Sequence, residues 1–138
     1  IWVVESSGVA DNLSSVTYGN NEFVAVGLSG AILTSPDGVT WTAQTSGVAN
    51  NLSGITYGNN EFIAVGSSGT VLTSPDGVTW TAQISGVANN LSGIVYSNNE
   101  FVIVGSGGKI LTSPDGITWT SRVSNTTENL SAITTNQN

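Results

Sequence analysis

Apolar and polar positions along this chain fall into short runs, and the pattern recurs every 39 residues. In one copy, Leu13-Ser14-Ser15-Val16-Thr17-Tyr18 predicts a first strand, and Gly19-Asn20-Asn21-Glu22 predicts a turn whose residues tolerate positive φ. Phe23-Val24-Ala25-Val26 is apolar on both faces, as expected of a strand covered by layers on two sides. Gly27-Leu28-Ser29-Gly30 then turns the chain into a third strand, Ala31-Ile32-Leu33-Thr34, and the Asp-Gly pair in Ser35-Pro36-Asp37-Gly38 signals a hairpin. The fourth run, Val39-Thr40-Trp41-Thr42-Ala43-Gln44, alternates apolar with polar residues and predicts an outer edge strand with one wet face. No segment carries the 3.6-residue period of a helix, so the chain is expected to be all β.

The copies span residues 12–50, 51–89 and 90–128 of one repeat domain, 1–138. Four short strands at a period near 40, with the second strand buried on both faces, describe a β-propeller of four-stranded antiparallel blades. A β-trefoil is the alternative, because it too uses three four-stranded units. The register runs past the whole copies at both ends, with Trp2 aligned to Trp41, Trp80 and Trp119, and Leu130 aligned to Leu13, Leu52 and Leu91. Partial blades are therefore expected at residues 1–11 and 129–138, with an outer strand at Trp2 and an inner strand at residues 130–134. A chain that starts at Ile1 and has no methionine reads as a piece of something longer. Three blades do not close a ring, and exposed blade faces predict self-association to complete one.

Composition narrows the chemistry. Only 8% of the residues are charged, and the net charge of −7 argues against nucleic acid and anionic membranes as partners. Cysteine and histidine are absent, which removes thiolate chemistry, disulfides and the commonest transition-metal ligand and general base. No apolar run reaches the length that spans a bilayer. The Thr/Asn/Gly-rich, cation-poor surface points to an extracellular or cell-surface setting, with the periplasm as the alternative.

The stretch Ser35-Pro36-Asp37-Gly38-Val39-Thr40-Trp41 recurs from Ser74 through Asp76 to Trp80 and from Ser113 through Asp115 to Trp119. It resembles the Asp-box of bacterial neuraminidase repeat proteins, at a spacing one residue shorter than the commonest form. Joined to Val26-Gly27-Leu28-Ser29-Gly30-Ala31-Ile32-Leu33, it looks like the blades of propellers related to the photosystem II assembly factor family, over essentially the whole chain. The resemblance implies a structural role for Ser35, Asp37 and Trp41 and their repeats, on the turn between the third and fourth strands. Sialidases with Asp-boxes grip a carboxylate with three arginines, and this chain has only Arg122, which excludes that activity for the chain alone. The assembly factor is thought to meet its partners through a basic patch, whereas only Lys109 and Arg122 are basic here, which speaks against that role.

No catalytic constellation emerges. Six of the nine carboxylates are repeat elements, namely Asp37, Asp76, Asp115, Glu22, Glu61 and Glu100, and the singletons Glu5, Asp11 and Glu128 have no evident partner. The chain is therefore expected to be no enzyme, with no cofactor and no metal. Asn20, Asn21 and Glu22 could supply oxygen to calcium, but they lack the dense carboxylate pattern of calcium loops and read as a hydrogen-bonded turn. Tyr18, Tyr57, Tyr96, Phe23, Phe62 and Phe101 read as core packing and not as sugar platforms. The expected function is non-catalytic recognition or scaffolding, by multivalent contact with glycan or a protein surface. The contact face is placed on the loops carrying Leu28, Ser29, Gly30, Ser46, Asn50, Ser85, Asn89 and Lys109. The alternatives are a structural element of an extracellular fibre, sheath or surface layer, and an assembly-factor-like protein binder.

Overall fold

The computed structural model describes residues 1–136. They form three four-stranded antiparallel sheets, each built from strands consecutive in the chain. The first contains β1 (Leu13–Gly19), β2 (Glu22–Gly27), β3 (Ile32–Ser35) and β4 (Thr42–Gln44). The second contains β5 (Leu52–Gly58), β6 (Glu61–Gly66), β7 (Thr70–Ser74) and β8 (Thr81–Ile84), and the third β9 (Leu91–Ser97), β10 (Glu100–Gly105), β11 (Ile110–Ser113) and β12 (Thr120–Arg122). A trefoil would pair strands of different repeats in a shared barrel. Here every ladder joins strands of one repeat, and the sheets meet face to face, with β1, β5 and β9 side by side at the inner edge. This is the blade architecture of a β-propeller.

The Asn-Asn pairs behave as the turn chemistry predicts. Asn20 and Asn21 take φ of 50° and 63°, and Asn59, Asn60, Asn98 and Asn99 repeat this left-handed pair, whose twist matches that of the flanking strands. The doubly apolar second strands are buried between layers. Val24 and Val26 pack with Ile32 against Leu52, Ile55, Phe62, Ala64 and Leu72 of the next sheet. Ile63, Val65 and Val71 meet Leu91, Ile94, Phe101, Ile103 and Leu111 in the same way. Phe62 and Phe101 are fully buried and pack at a tilt against half-buried Tyr57 and Tyr96, with ring centroids 4.6 Å apart in both sheets, so these four are core. Tyr18 of the first sheet, by contrast, is 56% exposed beside half-buried Phe23, because no sheet covers that face.

Two expectations are corrected. The fourth strands begin at Thr42, Thr81 and Thr120, three residues later than the alternation suggests. The amides of Val39 and Thr40 donate to Asp37 Oδ1, both at 2.9 Å, and amides held by a carboxylate do not pair with β3. The partial-blade strands are not formed. Trp2 is fully exposed and residues 130–134 carry no strand, since a lone strand has no ladder of its own to join. Residues 137–138 of the expected inner partial blade lie outside the described residues.

Candidate functional site

The turn that resembles the Asp-box is an internally closed hydrogen-bond network. Buried Ser35 Oγ accepts the amides of Asp37 at 3.3 Å and Gly38 at 2.7 Å, and its hydroxyl donates to Asp37 Oδ1 at 3.2 Å. Trp41 Nε1 donates back to the Gly38 carbonyl at 3.0 Å, which folds the indole over the turn. Ser74, Asp76 and Trp80 repeat the arrangement, as do Ser113, Asp115 and Trp119. The amides of Thr40 and Val39 hold the Asp37 carboxyl below its ordinary pKa of 3.8, and the same donors from Thr79 and Val78, and from Thr118 and Ile117, act on Asp76 and Asp115. In each turn the aspartate Oδ1 accepts from three donors of that same turn.

Against the second and third of these turns lies a glutamate from the sheet before. A Cβ at Gly77 would reach within 2.5 Å of Glu22 Oε1, and Gly116 holds the same relation to Glu61. Both glutamate oxygens are buried without a hydrogen-bond partner. Burial, aided by the charges of Asp76 and Asp115, raises both glutamates above their ordinary 4.5. Asn20 and Asn21 serve the turn through their left-handed backbone, and among the described residues no group of three or more acidic side chains is placed to hold a metal ion.

The loops after the second and fourth strands converge at one end of the sheets. Ser46 Oγ accepts the amide of Val48 at 3.3 Å and donates to its carbonyl at 3.1 Å, and that carbonyl lies where a Cβ on Gly30 would be. Gly30 has φ of 75°, so it is glycine for both reasons. Ser85 with Gly69, and Ser124 with Gly108, repeat the arrangement. Of the residues placed on this face from sequence, Gly30, Ser46 and Ser85 are buried and structural. Asn89 Nδ2 donates to the Ser106 carbonyl at 3.1 Å. Leu28, Asn50 and Lys109 are half-buried and Ser29 is exposed.

Two shallow grooves mark this end. One, of about 540 Å³, runs from Val9 and Asp11 past Ser29 and Gly30 to Val48 and Ala49. The other, of about 620 Å³, is its counterpart on the third sheet, bounded by Gly107, Lys109, Arg122, Asn125 and Thr127. The two cations of the chain both line it, with no carboxylate among its walls. Lys109 stands where the other copies have Ala31 and Thr70, and Arg122 where they have Gln44 and Gln83. Arg122 Nε donates to Thr112 Oγ1 at 2.9 Å, the bond that Gln44 and Gln83 make to Thr34 and Thr73, so the rest of the guanidinium fork is carried to the groove. Sequence reading named Lys109 for this face but left Arg122 out. The signal available was that both replace uncharged residues at repeat-equivalent positions.

A second set of contacts was invisible to that reading. Asn51 Oδ1 accepts the amide of Ser29 in the preceding sheet at 2.9 Å, Asn90 Oδ1 that of Ser68 at 3.0 Å, and Asn129 Oδ1 that of Gly107 at 3.0 Å. Each recipient backbone turns through a left-handed residue, Ser29, Ser68 or Gly107, which aims the amide outward. Asn51 and Asn90 tie neighbouring sheets together, and Asn129 ties the segment after the third sheet back onto it.

No known family profile matches the sequence, and no curated protein sequence does. Solved structures do match in shape. One is "YCF48 bound to D1 peptide", with a TM-score of 0.71 and 18% identity over 83% of this chain. Another is YCF48 from Cyanidioschyzon merolae, with a TM-score of 0.70 and 22% identity over 86% of this chain. YCF48 has a β-propeller fold. The likeness establishes a propeller-like fold for this chain, which spans 40% and 42% of the length of those two chains.

Proposed function

We propose that the chain is a non-catalytic, protein-binding propeller module, and that its third-sheet groove takes an acidic segment of a partner. The observation that carries this is the convergence of Lys109 and Arg122, in a chain of net charge −7, on one groove at the loop end. Arginine presents a planar fork suited to a carboxylate and lysine adds a point charge, so the pair favours a peptide carboxylate over a neutral sugar. The structural neighbour bound to a peptide supports the choice of protein over glycan. In the same reading the chain associates with itself, so that each copy contributes three sheets to a larger array.

An acidic peptide and its Gln/Asn counterpart, titrated by fluorescence polarisation, test the groove. Binding of the acidic peptide alone is expected, weakening as salt rises. Lys109→Thr with Arg122→Gln, which restores the residues of the second copy, is expected to weaken binding by at least about tenfold, or about 1.4 kcal/mol. Equal binding of both peptides, or a salt-insensitive glycan ligand held equally well by the double variant, would overturn the assignment.

A further inference from the structure

The two outermost sheet faces of the chain are the two halves of an interface that the chain already makes twice. On the first sheet, Leu13 is 43% and Val16 59% exposed, whereas their equivalents Leu52 and Leu91 are fully buried and Ile55 and Ile94 are 6% exposed. A groove of about 460 Å³ opens on this face, walled by Glu5, Leu13, Val16, Ala25 and Trp41. One repeat later, Leu52, Ile55, Ala64 and Trp80 occupy those positions, and they are filled by Val24, Val26 and Ile32 of the sheet before. On the far face of the third sheet, Val102, Val104 and Ile110 stand where Val24, Val26 and Ile32 do. Val102 and Ile110 are half-buried there and Val104 is 5% exposed, while Ile32 and Val71 are 1% exposed and Val24, Ile63, Val26 and Val65 fully buried.

The asparagine contacts follow the same logic. Four repeat-equivalent asparagines, Asn12, Asn51, Asn90 and Asn129, face three turn amides, those of Ser29, Ser68 and Gly107. Asn12 is exposed, and its side chain makes no hydrogen bond among the described residues. The Gly107 amide is held by Asn129, from a segment that imitates an inner strand without forming one. Leu130 donates its amide to the Gly105 carbonyl at 3.0 Å, and Ile133 Cγ2 would lie 3.5 Å from a Cβ on Gly93. Gly54 meets β9 at Gly93 in the corresponding way. Leu130 and Ile133 thus sit in the places of Leu91 and Ile94.

We propose that the chain stacks head to tail on a second copy: the first-sheet face of one copy docks on the third-sheet face of the other, and Asn12 replaces Asn129 on Gly107. The inference rests on the self-association included in the functional reading and supplies its geometry. Residues 129–136 act as an intramolecular stand-in for the incoming β1, so they compete with the second copy and hold association in check. The contact is heterologous, since different faces meet, and it propagates or closes according to the rotation between copies.

Analytical ultracentrifugation of the whole chain over a concentration series tests this. The expected result is a mass that rises with concentration. Val16→Glu and Val102→Glu, one on each face, are each expected to raise the midpoint concentration at least about tenfold, a charge being costly against an apolar surface. Mixed in equal amounts, these variants should form a dimer and nothing larger, because each keeps the face the other has lost. Leu130→Asp with Ile133→Ser should lower the midpoint by weakening the stand-in, and association appearing only in that variant supports the proposal equally. A single monomeric mass for the wild type and the Leu130/Ile133 variant alike would overturn it. So would wild-type association with no dimer from the mixture, which indicates a like-with-like contact. Should Val102→Glu fail to fold, the milder Val102→Asn serves in its place on the same face, and unchanged association would overturn the proposal. Peptide binding measured on Val16→Glu, whose charged groove is intact, reports on the functional reading separately.

Discussion

Glu22 and Glu61 each lose water on docking against the next sheet and gain no hydrogen bond at the buried oxygen. Their pKa values are raised in the fold, so their ionisation opposes folding at neutral pH, and the opposition fades as pH falls through the raised values toward 4.5. Asp37, Asp76 and Asp115 have the opposite sign. Their lowered values favour the fold above 3.8, and that favour is lost as pH falls through the lowered values. The melting temperature is therefore expected to climb as the solution is acidified from neutral toward 4.5 and to drop below 3.8. Glu22→Gln with Glu61→Gln should raise the neutral-pH melting temperature and flatten the climb, whereas Glu5→Gln with Glu128→Gln, also two charges fewer but at exposed positions, should leave both unchanged. Thermal scans of the three proteins between neutral and acid pH check this.

At the scale of the strand and turn, glycine is required where one sheet meets the ring of the next. A Cβ on Gly19 would overlap Tyr57, and one on Gly58 would overlap Tyr96. Gly58→Ala is expected to cost about 1–3 kcal/mol, the range of an overpacked core. Ser97, which occupies the same position in the third copy, has Thr135 in place of the next tyrosine, so Ser97→Ala should cost far less. Urea unfolding of both variants checks the contrast. Elements of this kind separate what local patterning conveys from what it does not. The Asn-Asn turns, the doubly apolar second strands and the serine-to-tryptophan turn each depend on residues within a few positions of one another, and all were readable as such. The start of β4 was misplaced because alternation continues through Val39 and Thr40, while the carboxylate of Asp37 outcompetes the ladder for their amides. The asparagine ties join residues 22 apart across two sheets, a distance at which hydrophobic period and turn chemistry carry no signal. The meeting of Lys109 and Arg122 escaped for the same reason, since it arises from the pairing of β11 with β12.

Across the whole molecule, stability is distributed by how many neighbours a sheet has. The second sheet is covered on both faces, and Phe62, Ile63, Ala64 and Val65 are all fully buried. The first sheet has one face covered by another sheet, and the far face of the third sheet is covered only by the strandless segment 129–136. Native-state hydrogen exchange is expected to find the slowest amides in β6 and faster ones in β1 and β12, as in arrays whose stability sums over nearest-neighbour contacts. Equal protection in all three sheets would mean that the outer faces are covered in solution, which the stacked assembly would produce.

The asparagine at the head of each sheet also gives the stack a direction in time. Asn51 and Asn90 reach back to an amide in the sheet that precedes them in the chain. During synthesis that earlier sheet has already left the ribosome, with its four strands joined by short local turns. Each new sheet therefore emerges to find its docking partner complete, and the molecule can be assembled in order without waiting for its own last residues.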